Sequence, residues 1–339
     1  MTRSVAPGTP RNGPALEVED LQVLYKPKNG GNPIRAVEGV SFTLAKGETL
    51  GLIGESGSGK TSLARALMQL TPVSRGRALV GGVDMASLKG EALRTARSKL
   101  QMVFQDPTAS LDPRMSIGDS VMEPLVVQRR GNRAEQRQKL REMFSMVGLH
   151  PDHADRYPHE LSGGQKQRAG IARALILKPD VVICDEAVSA LDVALQAEIL
   201  ELLKRLQGEL GLAYLFITHD LGVVANVSDR VAVMYLGRLA ELSDVPALIE
   251  RPRHPYSEAL ISAQPRFTHH EGWERIVLRG DLPSPADPPS GCRFRTRCPY
   301  VVERCRVEEP ALIEVSTGQS AACHRINELH LQGLVPQHN

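Results

Sequence analysis

Aromatic side chains are scarce in this 339-residue chain, at 4% with a single Trp, and hydrophobic residues make up 42%. No window holds the roughly 18 uninterrupted apolar residues of a membrane-spanning helix. The first fourteen residues, MTRSVAPGTPRNGP, lack the apolar centre of a secretory signal. Charge of either sign is nearly balanced, at a formal net +2, which argues against an electrostatic nucleic-acid binder or a polybasic membrane arm. Cysteines number five, too few for a disulfide framework at this length and better suited to thiols or metal ligands. These absences leave a cytosolic globular chain of one large and one smaller unit, with a disordered tail at residues 1–14.

What is present is a phosphate site. Residues 54–61 read GESGSGKT, directly after the apolar run Leu50 to Ile53, so a strand ends in a glycine-rich turn and opens a helix at Thr61. That geometry aims successive backbone N–H groups at a polyphosphate, with Gly54, Ser56, Gly57, Ser58 and Gly59 in the loop. Lys60 then neutralises the β and γ phosphates, the Thr61 hydroxyl holds Mg²⁺, and Ser62 follows in the helix. A ligand-free Gly/Ser loop does not explain the full eight-residue match.

Strands are expected at Ala15–Leu24, Ala36–Leu44, Leu100–Phe104, Val181–Asp185, Ala213–Thr218 and Arg230–Leu236, with helices at Ser162–Leu177 and Val193–Leu210. Residues 116–147, rich in Arg, Glu, Gln, Leu and Met, read as a helical insertion. Alternating strands and helices predict an α/β fold with a largely parallel sheet, its ligands at the carboxyl ends of the strands. One such end, VVICDE, carries two adjacent acids: Asp185, placed to serve a metal, and Glu186, placed to polarise a water. Cys184 beside them reads as a small core hydrophobe.

The string Leu161-Ser162-Gly163-Gly164-Gln165-Lys166-Gln167-Arg168 resembles the signature loop of ATP-binding cassette (ABC) proteins, a phosphate contact built from a hydroxyl, glycine N–H groups and a helix N-terminus. An N-cap Ser followed by a Gly turn explains a helix start but not the whole string. Further motifs follow the family order: Gln105 in VFQDP, the SALD loop ending at Asp192, and His219 in FITHD. Tyr25, some 35 residues before Lys60, is placed as a platform for adenine, against the reading of an ordinary strand-end aromatic. The resemblance implies a P-loop ABC cassette: a mixed sheet core, an antiparallel β subdomain and an α-helical subdomain at about 106–160. The cassette would span residues 15–250, with a Cys-containing extension at 251–339. It also implies two ATP molecules sandwiched between two cassettes. Gln105 would then sense γ phosphate and metal, Asp185 serve Mg²⁺, Glu186 act as general base and His219 contact the γ phosphate. Ser162 and Gly164 would reach the opposite subunit's nucleotide. Ala187 departs from the Pro usual after Glu in the family.

Only about 55 residues separate Gln105 from Leu161, too few for the long coiled coils of repair ATPases. The chain also lacks the second cassette of ribosome-associated members. A transporter is the favoured reading over a soluble machine, with separate membrane subunits as partners. VFQDPTASLDPRMSIGDSVMEPL, RYPHELSGGQKQR, MYLGRLAEL and HPYSEALISAQPR resemble ATPase subunits of bacterial dipeptide and oligopeptide importers. ASLDPRMSIGD and ERIVLRGDLPSPADPPSGCRFRTRCP are more similar to the F-type than the D-type subunit. The resemblance implies a D/F-type heterodimer at the cytoplasmic face of the cell membrane, two permease subunits and a substrate-binding protein, with no nucleic acid. Nickel and glutathione importers share the motifs.

Cys292, Cys298, Cys305 and Cys323 crowd the last part of the chain. Their spacing alone fits a [4Fe–4S] cluster, tetrahedral zinc or metal-free thiols, with His324 a competing ligand. Resemblance to peptide-importer ATPases implies [4Fe–4S] in a structural role. Beyond about Arg325 no chemical signal is legible.

Overall fold

The computed structural model describes residues 13–27, 31–264 and 275–333. The tail expected at 1–14 falls, for residues 1–12, outside them. Strands β1 (Leu16–Tyr25) and β2 (Ile34–Leu44) pair antiparallel and bury Leu16, Val18, Leu21 and Val23 on one face. β3 (Thr49–Ile53), buried at every position, leads to α1 (Lys60–Leu67). β4 (Arg75–Val80) and β5 (Val83–Asp84) complete a four-stranded antiparallel sheet of order β2-β1-β4-β5.

The second sheet has eight strands in the order β11-β12-β10-β9-β3-β8-β7-β6. β6 (Leu100–Val103), β7 (Val181–Asp185), β8 (Ala213–Ile217), β3 and β9 (Arg230–Tyr235) run parallel. β7 and β8 are fully buried continuous apolar strands, as a sheet covered on both faces requires. The largely parallel sheet expected from the alternation is therefore the middle of a mixed one. β10 (Arg238–Asp244) turns back on β9 through Leu236 and Gly237, both at positive φ, a two-residue hairpin that only reverses the chain. β12 (Gln319–Ala321) then pairs antiparallel with β10, and β11 (Ile313–Ser316) with β12, so the C-terminal extension covers the edge of the sheet.

Among the described residues the further α-helices are α2 (Gly90–Ala96), α3 (Pro107–Ser110), α4 (Ile117–Val127), α5 (Arg133–Val147), α6 (Gly163–Leu175), α7 (Val193–Leu210), α8 (Leu221–Val227), α9 (Val245–Glu250), α10 (Pro255–Ser262) and α11 (Arg304–Val307). The predicted insertion is the pair α4 and α5. Asn132 and Glu135 form a reciprocal cap that starts α5, and Gly148 in the left-handed region ends it. Ile117, Val121, Leu125, Leu140 and Phe144 pack with Ile171 and Leu175, seating the insertion on α6. Among the described residues no helix is long and apolar enough to cross a membrane.

Candidate functional site

The loop of residues 54–59 is shaped by close backbone approach. A Cβ on Gly54 would stand 2.2 Å from the Met234 carbonyl oxygen, and one on Gly59 2.1 Å from that of Ala36; both residues have positive φ. Only glycine fits there. Gly57 also lies at positive φ, and Ser58 is buried. Gly59 caps α1, whose first residues are Lys60, Thr61 and Ser62. Lys60 is buried, and its Nζ donates to the carbonyls of Gly54 (2.7 Å) and Glu55 (2.9 Å) and to Ser58 Oγ (3.3 Å). Burial lowers its pKa, against the opposing charges of Glu186, Asp185 and Glu55.

β3 and β7 are separated by β8 alone, so their carboxyl ends face one volume. Thr61 Oγ1 donates to Asp185 Oδ1 at 3.4 Å. Burial pushes the Asp185 carboxyl up, with the Thr61 hydrogen bond acting the other way. A hydroxyl and a desolvated carboxylate are the hard oxygen donors that suit Mg²⁺, so the residues present fit that ion.

Glu186 has φ +49, a strained setting for a side chain of its size. Its amide donates to the Ile217 carbonyl (2.9 Å), fixing the turn. Oε2 accepts from Gln105 Nε2 at 2.8 Å, and His219 Nδ1 stands 3.5 Å from Oε1. Three strand ends thus deliver Gln105, Glu186 and His219 to one point. Two side chains hold the turn at Ala187. Ser189 Oγ donates to the Glu186 carbonyl at 2.9 Å, and the buried Gln167 donates through Nε2 to the Ala187 carbonyl at 2.7 Å. Gln167 lies in the string noted in the sequence, but its link from α6 to this turn was not foreseen there.

Ser162 caps α6, its hydroxyl accepting from Gln165 N while Gln165 Oε1 accepts from Ser162 N. Ser162 and Gly163 are exposed. Gly164 is buried against α7, where a Cβ would meet Leu195 Cδ1 at 2.5 Å. Asp192 caps α7 by accepting from Leu195 N. The Tyr25 hydroxyl lies 3.3 Å from Ser62 Oγ and 3.5 Å from Thr71 Oγ1, which sets its ring beside α1.

Cys184 is fully buried, its thiol pushed up to about 12 by burial, as expected of a core residue. The other four cysteines line one small pocket with His324. Burial pushes Cys292 up to about 11 and Cys298 up to about 12. Soft donors gathered without a carboxylate suit iron–sulfur or zinc. Among the described residues no three His, Cys, Asp or Glu side chains form a group that could hold one ion. His324 Nε2 is occupied by the Glu308 carbonyl at 2.9 Å. The stretch after Arg325, silent in sequence, packs against α10: Leu331 is buried and Gln332 N donates to Glu258 Oε1 at 2.8 Å.

Residues 37–189 match the ABC transporter family, and residues 240–305 match the oligopeptide/dipeptide transporter C-terminal region. The chain is 48% identical to a putative peptide import ATP-binding protein of Brucella ovis over 314 residues, covering 93% of this chain and 98% of that protein. An oligopeptide transport ATP-binding protein of Bacillus subtilis is 47% identical over 318 residues, covering 91% and 96%. Among solved structures, a dimeric post-hydrolysis ATP-binding cassette bound to ADP and Pi aligns with a TM-score of 0.61 at 29% identity, over 68% of this chain and 98% of that one. An ABC transporter cassette of Clostridium perfringens aligns with a TM-score of 0.62 at 29% identity, over 69% and 90%. A glycine cradle on β3, two acids on β7 and the cap of α6 thus belong to a known machine: the chain is an ATP-hydrolysing member of the ABC transporter family, of the group that carries the oligopeptide/dipeptide C-terminal region.

Proposed function

We propose that this chain hydrolyses ATP to power import of di- and oligopeptides, as the F-type subunit of a heterodimer with a D-type ATPase. Two membrane permeases and an external substrate-binding protein complete the assembly, and the chain sits at the cytoplasmic face of the membrane. In this reading residues 15–250 bind nucleotide, with the helical part at about 106–160 docking a permease, and residues 251–339 form the extension. The observation that carries it is the meeting of Gln105 and His219 on Glu186, beside Lys60 and Thr61.

Glu186 orients water for in-line attack on the γ phosphate and takes up its proton. Lys60 leaves its loop carbonyls for the phosphates, and the N–H groups of residues 57–61 cradle them. Thr61 and Asp185, with Gln105 nearby, would hold Mg²⁺, which would supply positive charge against the phosphate oxygens. His219 holds the γ phosphate, Tyr25 supports the adenine, and Asp192 supports the closing face. Ser162, Gly163, Gly164 and Gln165 complete the nucleotide held by the opposite subunit. The four extension cysteines would hold a [4Fe–4S] cluster of structural role, zinc being the alternative occupant.

Reconstitution of the whole transporter in proteoliposomes tests this reading. ATP-dependent accumulation of a labelled di- or oligopeptide, lost in Glu186→Gln, is expected. Nickel uptake without peptide uptake would overturn the substrate class, and hydrolysis with no transport of either would overturn the transporter reading.

A further inference from the structure

Glu55 is an anion inside an anion-binding loop. Its carboxylate is met by a guanidinium 242 residues away: Arg297 Nη1 donates to Oε2 at 2.6 Å and Nη2 to Oε1 at 3.2 Å. The side chain of Arg297 is only 9% exposed, so solvent screens this two-point pair less than a surface one. The same residue is held by its backbone, since Glu55 N donates to the hydroxyl of the buried Tyr256 in α10 at 2.7 Å. Tyr256 packs with Tyr235 and with Phe294 of the cysteine-bearing segment. Leu282, in the connector before that segment, lies 3.3 Å from where a Cβ on Gly57 would stand. The extension therefore grips the outer side of the phosphate loop at Glu55 and touches it at Gly57. Glu55 is also the residue whose carbonyl accepts from Lys60, and its charge is felt at that ammonium.

We propose that Arg297 is a positioning residue for ATP: by pairing with Glu55 it cancels a carboxylate that would repel the triphosphate and fixes the loop that receives it. The C-terminal extension thereby becomes part of the nucleotide site. A carboxylate released in that loop repels a ligand of several negative charges, and the repulsion weakens with added salt. This rests on residues 54–61 being the triphosphate cradle.

The test is the dissociation constant of a fluorescent MgATP analogue on the full-length chain, with KM and kcat in the reconstituted transporter. Arg297→Ala should raise Kd and KM about threefold to tenfold, leave kcat within about twofold, and show a smaller defect at high salt. Arg297→Lys should recover most of the loss. Glu55→Gln should tighten binding, and Glu55→Gln with Arg297→Ala should return Kd to within about twofold of the parent. Unchanged Kd in Arg297→Ala, or a double variant as weak as Arg297→Ala, overturns the proposal. Should Arg297→Ala fail to fold, weaker binding by Glu55→Gln overturns it equally. Normal binding by Lys60→Ala would instead sink the cradle reading itself.

Discussion

Gln105 Nε2 donates to Glu186 Oε2 across 2.8 Å, joining the end of β6 to the end of β7. The contact ties the residue two positions beyond β6 to the carboxylate that the proposed mechanism uses as its base. Loss of the carboxylate should therefore separate binding from chemistry. Glu186→Gln is expected to bind MgATP with affinity close to the parent and to trap the closed dimer, while phosphate release falls about 10²- to 10⁴-fold. Near-normal phosphate release in the purified complex would show that another group is the base.

Two glycines respond differently to the same added methyl. Gly59→Ala places Cβ against the Ala36 carbonyl at φ +107, and the structure has no room to yield. The cost is about 2–4 kcal/mol, with loss of nucleotide binding. Gly163→Ala meets nothing within 4 Å. It should leave Tm unchanged yet lower turnover in the assembled transporter. Differential scanning calorimetry and ATPase assays read both.

How much of this was legible follows from distance along the chain. The cradle, the acid pair and the cap of α6 are contiguous strings whose residue types dictate a local geometry, and each stands where the string placed it. Gln105, Glu186 and His219 were named from motifs, but their convergence on one carboxylate depends on the strand order β3-β8-β7-β6, which no local string encodes. β10 was missed although it runs back along β9, and β11 and β12 because they are short and pair only with each other and with β10. Arg297 gave no signal, since an arginine among cysteines reads as a solvated charge until Glu55 is brought to it. Leu331 and Gln332 packed against α10 by ordinary burial, with no motif to announce it.

Buried titrations oppose one another at the edge of the sheet. Glu241 is fully buried and pushed up to about 7 by burial, although Arg253 N, Gln319 Nε2 and His254 N donate to it. His254 is buried and pushed down to about 4. The raised acid binds a proton in the folded state that the unfolded chain has released, so its contribution is full below about 4.5 and is lost as pH rises towards 7. The depressed base contributes above its ordinary value of 6.5, and that is lost as pH falls towards 4. Between about pH 4.5 and 6.5 the two slopes cancel. Glu241→Gln should unmask a loss of stability on acidification, and His254→Asn, which keeps an acceptor for Tyr256 N, a loss on raising the pH. Each is worth up to about 3 kcal/mol by urea unfolding. Parallel pH profiles for parent and both variants would contradict the assignment.

The pocket lined by Cys292, Cys298, Cys305 and Cys323 makes a claim on composition. Anaerobic purification should yield protein with a broad visible absorbance, with iron and sulfide in equal amounts, and Cys298→Ser should lose both. Colourless protein holding one zinc per chain would assign the pocket to zinc and remove the cluster.

The exposed Ser162 and Gly163 stand at the head of α6. Cryo-electron microscopy of the ATP-loaded Glu186→Gln transporter measures where they go. The account predicts Ser162 Oγ within hydrogen-bond reach of a γ phosphate cradled by the opposing ATPase subunit, with this chain's Lys60 on the second ATP. Ser162 facing solvent in the closed, nucleotide-filled complex would contradict it.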